Sequence, residues 1–168
     1  MRDSILTALG TAVINELNSY SWTTEIWTKP VISGGSPTFA VPDFTAERIY
    51  NPERQLEETE TLRVDVVLGD IDQTASSRST QQGDYRVDVA IRQVIDVSSN
   101  INVDPLGALV EEIGNHFFHL KRLVISVNGD TFGAGWIKSQ VVYPYLPSQL
   151  RESSQFVSLI RLTYRVIA

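Results

Sequence analysis

Phe156-Val-Ser-Leu-Ile-Arg-Leu-Thr-Tyr-Arg-Val-Ile-Ala168 alternates in side-chain character almost residue by residue. Phe156, Ile160, Leu162, Tyr164 and Val166 fall on one side of an extended chain, with Ser158 among them. Arg161, Thr163 and Arg165 fall on the other. Successive strand side chains take opposite faces, so the pattern predicts a strand with one dry face and one charged face. The design recurs as a repeated tetrapeptide, Arg63-Val-Asp-Val66 and Arg86-Val-Asp-Val89. Three such strands imply a sheet whose second face stays wet or meets a partner.

Leu62 to Leu68 alternates cleanly, with Leu62, Val64, Val66 and Leu68 inward and Arg63 and Asp65 outward. Tyr85, Val87, Val89 and Ile91 line the dry side of another strand, with Arg86, Asp88 and Arg92 opposite. Between them, Asp70 to Gln82 is polar and reads as a loop. Phe44 to Tyr50 predicts a further strand, followed by the acidic run Pro52 to Glu60, which reads as a solvated loop. Leu123 to Val127 predicts a short strand closed by the tight-turn pair Asn128-Gly129. Trp136 to Tyr145 pairs with the final strand across a long loop from Pro144 to Glu152.

Two helices accompany these strands. Asp3 is the candidate cap of the first, where Ile5, Leu9, Val13 and Leu17 recur at spacing four and Leu6 widens the stripe. Asp104 is the candidate cap of the second, with Pro105 at its first position and Leu106, Leu109, Val110, Ile113, Phe117 and Leu120 on one stripe. Between the first helix and the first strand, an irregular arm at about 19–43 holds Trp22, Trp27 and Phe39, with the turn Gly34-Gly35-Ser36-Pro37 at its centre. Exposed aromatics are costly unless used, so packing on the body is the expectation for them. Few connections resemble helical crossovers. The order therefore predicts an α/β (α+β) fold: a mainly antiparallel sheet of five to six strands with two helices packed on one face.

The chain has 168 residues, a net charge of −6 and no cysteine. That length suits a single domain, 1–168, burying roughly 70% of its extended-chain surface. Without cysteine there is no disulfide framework, thiol nucleophile or thiolate metal site, and the chain suits a reducing cytosol. The opening Met1 to Thr7 lacks the pattern of a secretory signal, and no apolar run approaches the ~20 residues that span a bilayer. Net acidity weighs against general affinity for nucleic acid phosphates, yet suits a surface past which DNA slides.

Few residues in the sequence suggest chemistry. His116 and His119 stand three apart on the second helix, and Glu112 is within reach of a shared ion, but there is no third His. A boundary histidine and an exposed one is the plainer reading. Ser33 to Pro37 and Asn128 to Gly135 are glycine-rich without the frame of a phosphate cradle, and GxSxG and HExxH are absent. Glu57-Glu58 and Glu111-Glu112 are sequence neighbours that diverge instead of flanking a bond. No catalytic, cofactor or metal residue is assigned. The charged strand faces carry two readings. One is a solvated face with cross-strand Arg–Asp pairs worth about 0.2–1 kcal/mol each. The other is a protomer–protomer interface through Arg63, Asp65, Arg86, Asp88, Arg161 and Arg165, with charge complementarity fixing register more than affinity.

The sequence resembles the tail terminator, or tail-completion, proteins of long-tailed bacteriophages and prophages. The resemblance runs through Phe44 to Tyr50, Leu56 with Thr61 to Val67, Gly83 to Arg92, Asp104 to Ile113, Tyr143 to Leu150 and Gln155 to Arg165. It implies an α/β protein that forms a ring, usually hexameric, on the head-proximal end of the tail tube. There it stops tube polymerisation and offers a platform to the neck. The implied partners are further copies of itself, the tail tube protein and a neck or head-completion protein. DNA passes through without specific binding, no cofactor or membrane is involved, and the location is the virion, after assembly in the host cytoplasm. The segment Trp27 to Val41 looks longer than the family usually has, and Trp27 and Phe39 are its candidate arm contacts. Head–tail neck proteins share the pattern. A small binding module anchored by Trp22, Trp27 and Phe39, or a carboxylate/His-dependent hydrolase, are the readings from other classes.

Overall fold

The computed structural model describes residues 4–27, 38–50, 61–75, 77, 80–95 and 100–168. Asp3, the turn 34–37 and the acidic run 52–60 lie outside the described residues. Helix α1 (Ile5–Ser19) is capped by Ser4, whose hydroxyl accepts the Thr7 N–H at 3.0 Å. Its buried stripe, Leu9, Val13 and Leu17, follows the predicted spacing. Trp22 turns back onto the helix end and donates its indole N–H to the Leu17 carbonyl at 3.1 Å. Strands β1 (Ile26–Trp27) and β2 (Phe39–Ala40) then form a two-residue antiparallel ladder at the base of the arm.

Strand β3 (Glu47–Arg48) is shorter than the predicted 44–50. The reason lies in Asn18. Its side-chain oxygen accepts the Ala46 N–H at 2.7 Å and its NH2 donates to the Ala46 carbonyl at 3.4 Å, so an amide from α1 stands where a strand partner belongs. Strands β4 (Arg63–Ala75) and β5 (Gln81–Val94) form one long hairpin. The polar stretch read as a loop is therefore strand: Asp72, Gln73 and Thr74 continue the ladder opposite Asp84, Gly83 and Gln82. A bulge between Leu68 and Ile71 interrupts it, where a Cβ on Gly69 would meet the Arg86 carbonyl oxygen at 2.9 Å.

Helix α2 (Asn100–Leu120) starts earlier than predicted and carries Pro105 inside it, not at its first position. Leu106, Leu109, Val110, Ile113 and Phe117 are fully buried along the predicted stripe. Strands β6 (Arg122–Val127) and β7 (Asp130–Tyr143) form a hairpin whose turn residues Asn128 and Gly129 both take positive φ, the geometry that twists with the strands. A seven-residue helix, α3 (Pro147–Ser153), occupies the connection read as a loop and packs on β8 (Gln155–Ile167).

The fold is mixed α+β. Six strands form one sheet in the order β3-β4-β5-β8-β7-β6, antiparallel throughout except for the short parallel pair β3–β4. Six strands spaced about 4.8 Å apart would span roughly 24 Å if flat, twice the width of a helix. Yet α1 touches β6 at one margin and β3 and β4 at the other. The sheet must curl around α1, with α2 against β7 and β8 on the same concave side. Tyr85, Val87, Val89, Ile91, Phe156, Ile160, Leu162, Tyr164 and Val166 join both helix stripes in one core.

Candidate functional site

The convex side of the sheet gathers the charges. Strand alternation puts Asp84, Arg86 and Asp88 of β5 and Arg161, Thr163 and Arg165 of β8 on this face, and the register sets Asp84 opposite Arg165 and Asp88 opposite Arg161. Both pairs are bidentate. Arg165 donates to Asp84 at 2.7 and 2.9 Å, and Arg161 donates to Asp88 at 2.9 and 3.0 Å. Arg86 donates once to Asp70 at 3.2 Å, and that carboxylate is 71% exposed. The hydrogen bond from Arg165 holds the Asp84 carboxyl below the usual carboxylate range, against the opposing pull of burial. Asp88 in turn raises the Arg161 guanidinium above its ordinary value.

The predicted interface residues therefore divide. Arg86, Asp88, Arg161 and Arg165 share the partly open middle of the face, where Asp88 holds Arg161 and Asp84 holds Arg165 by two hydrogen bonds each, and Asp70 holds Arg86 by one. Arg63 is half-buried, and Asp65 is only 1% exposed, so this end of the face is closed instead of solvated. Arg92, also expected on the wet side, is buried too. Asp84 joins this set although the sequence reading omits it, and its signal is the period-two spacing that Asp84, Arg86 and Asp88 keep along one strand.

Trp27 and Phe39 face each other across the arm's short ladder, ring centroids 6.1 Å apart and edge to face. Trp22 packs on the body as expected, in an aromatic cluster with Tyr20, Phe44 and His116. His116 lies between the helices, its Nε2 2.8 Å from Glu16 Oε1 and its ring 4.0 Å from that of Tyr20. His119 is turned to the Asn115 carbonyl at 2.7 Å. The two histidines thus do not converge, and among the described residues no three His, Asp or Glu side chains cluster as metal ligands. Glu112 instead receives the backbone N–H groups of Thr23 and Thr24 at 2.8 and 2.9 Å and the Thr23 hydroxyl at 2.7 Å. Burial pushes its carboxyl up, but these hydrogen bonds outweigh it and leave the group below its ordinary range.

A shallow groove of about 350 Å3 runs between α2 and β7, lined by Glu111, Asn115, Phe118, Trp136, Ser139 and Val141. Phe118 and Trp136 meet edge to face at 5.1 Å on its wall, with the Lys121 ammonium 5.6 Å above the Phe118 ring. No sequence pattern marks this groove, because alternation along β7 shows which way its side chains point and not what stands opposite them. Compared with known proteins, the chain matches no family model and no curated protein.

Proposed function

We propose that this protein is a structural component of a phage virion, a ring, hexameric by resemblance, that caps the tail tube, ends its polymerisation and joins it to the neck. Two things support the reading. The first is the pattern of motifs from Phe44 to Arg165 that resembles tail terminators. The second is a curled sheet that buries one side under two helices and turns a ladder of charges outward. The outward ladder carries the argument, because a tube end is capped by a surface, not by a reactive group. A growing tube repeats one heterologous contact indefinitely, and a ring that matches only one side of that contact ends it. The acidic balance of −6 suits a lumen that must not hold DNA.

The test is tail morphology. Lysates lacking the protein are expected to contain tubes of uncontrolled length, and purified protein mixed with tubes is expected to form six-fold rings at one end in electron micrographs. Tails of normal length without the protein would overturn the proposal. Binding to head-side connectors but not to tube ends would instead make it a neck protein.

A further inference from the structure

Among the described residues, the convex-face charges without an ion pair lie toward its two opposite sides, on β4 and on β6 and β7. Register runs one row across five strands: Asp72 of β4 faces Asp84, Asp84 faces Arg165, Arg165 faces Gly135, and Gly135 faces Arg122 of β6. Asp84 and Arg165 satisfy each other in the middle of that row. Asp72 at one end and Arg122 at the other are exposed and have no ion pair among the described residues. Lys138 of β7, in the next row opposite Thr163, is likewise exposed and without an ion pair. The Arg122 guanidinium lies over Gly133, whose missing side chain leaves it room on this face.

The two margins differ in sign. Strand β8 contributes Arg161 and Arg165 and no acid, while β7 adds Lys138 and has only Asp130, at its turn end. The β4 margin carries Asp70 and Asp72, and Asp72 faces a second carboxylate across the ladder. Like charges directly opposite cost stability, so this arrangement has no local benefit. Among the described residues the same stretch of β4 is a sheet edge, since β3 covers only Asp65 and Val66 in register.

We propose that copies of this chain dock head to tail, the acidic β4 margin (Asp70, Asp72) of one against the basic margin (Arg122, Lys138) of the next. A second copy fits because acid and base occupy different places on one surface. A two-fold contact made through either margin alone would set like against like, whereas a heterologous contact of one margin with the other pairs opposites and repeats around a ring. The inference rests on the ring reading and supplies its contact. It also moves that contact away from the internally paired Asp88, Arg161 and Arg165.

The experiment measures self-association of the full chain by sedimentation, alone and on tail tubes. Asp72→Arg and Arg122→Asp are each expected to raise the dissociation constant about tenfold or more, with circular dichroism unchanged. Mixing the two variants is expected to restore association, because each carries the charge that the other's altered margin needs. Asp72→Asn and Arg122→Gln, milder changes that keep the strands' shape, are expected to shift it the same way by a smaller factor. Association indifferent to both reversals, or lost and not restored on mixing, would overturn the docking margins alone. Wild-type protein that stays monomeric at every concentration and ignores tube ends would overturn the ring reading with them.

Discussion

Asp84 and Arg165 meet through two hydrogen bonds while both keep part of their surface in water, and that combination sets their worth. The carboxyl titrates lower in the folded chain than in the unfolded one. Its contribution is therefore present above the unfolded carboxylate range and is lost as pH falls through the folded value. Asp84→Asn is expected to lower the unfolding free energy measured by urea denaturation at neutral pH by less than about 1 kcal/mol, because solvent screens the pair. The gap between variant and parent should close on acidification. Glu112→Gln should follow the same course, since its carboxyl is also held low, here by Thr23 and Thr24. Tyr164 offers the opposite case. Its hydroxyl is buried and finds no partner among the described residues, and burial raises its pKa. An unsatisfied buried hydroxyl carries a penalty of about 1–3 kcal/mol, so Tyr164→Phe is expected to leave thermal stability equal or higher. The sequence placed Tyr164 correctly on the dry face, but no pattern in a single strand could show that its oxygen lacks a partner.

Elements were legible in proportion to how far their own residues enforce them. Strand β8 and the stripe of α2 are written in buried side chains, and both emerged with the predicted faces. The outer half of the β4–β5 hairpin was not, because Asp72, Gln73 and Thr74 are polar and owe their extended form to the ladder with β5. Helix α3 has no buried residue and so no stripe to read. Pro105 suggested a helix start, yet the chain winds a turn earlier. Asn18 is the clearest instance of tertiary override: a helix amide ends a strand that alternation extended to Phe44. Phe117→Ala, at the centre of the core, is expected to cost about 3–5 kcal/mol in chemical denaturation. Asn18→Ala is expected to cost about 1–2 kcal/mol, through two backbone groups of Ala46 that lose their partner.

At the level of the whole molecule, internal pairing and free charge make separable predictions. Arg161→Ala leaves Asp88 without its bidentate partner and is expected to lower monomer stability while sparing self-association. Substitutions at the two margins of the convex face are expected to do the reverse. Self-association read by light scattering should weaken as salt rises from 50 to 500 mM on the order of the Debye screening of exposed charges, and monomer stability should change little. The sheet's order has one more effect. Strand β8 lies between β5 and β7, so two ribbons made earlier become neighbours only when residues 155–167 slot between them. Until the ribosome has passed that point, the nascent polypeptide holds two half-finished surfaces with greasy undersides. Refolding should be slow and topology-limited, and newly made chains should lean on chaperones until the keystone is in place.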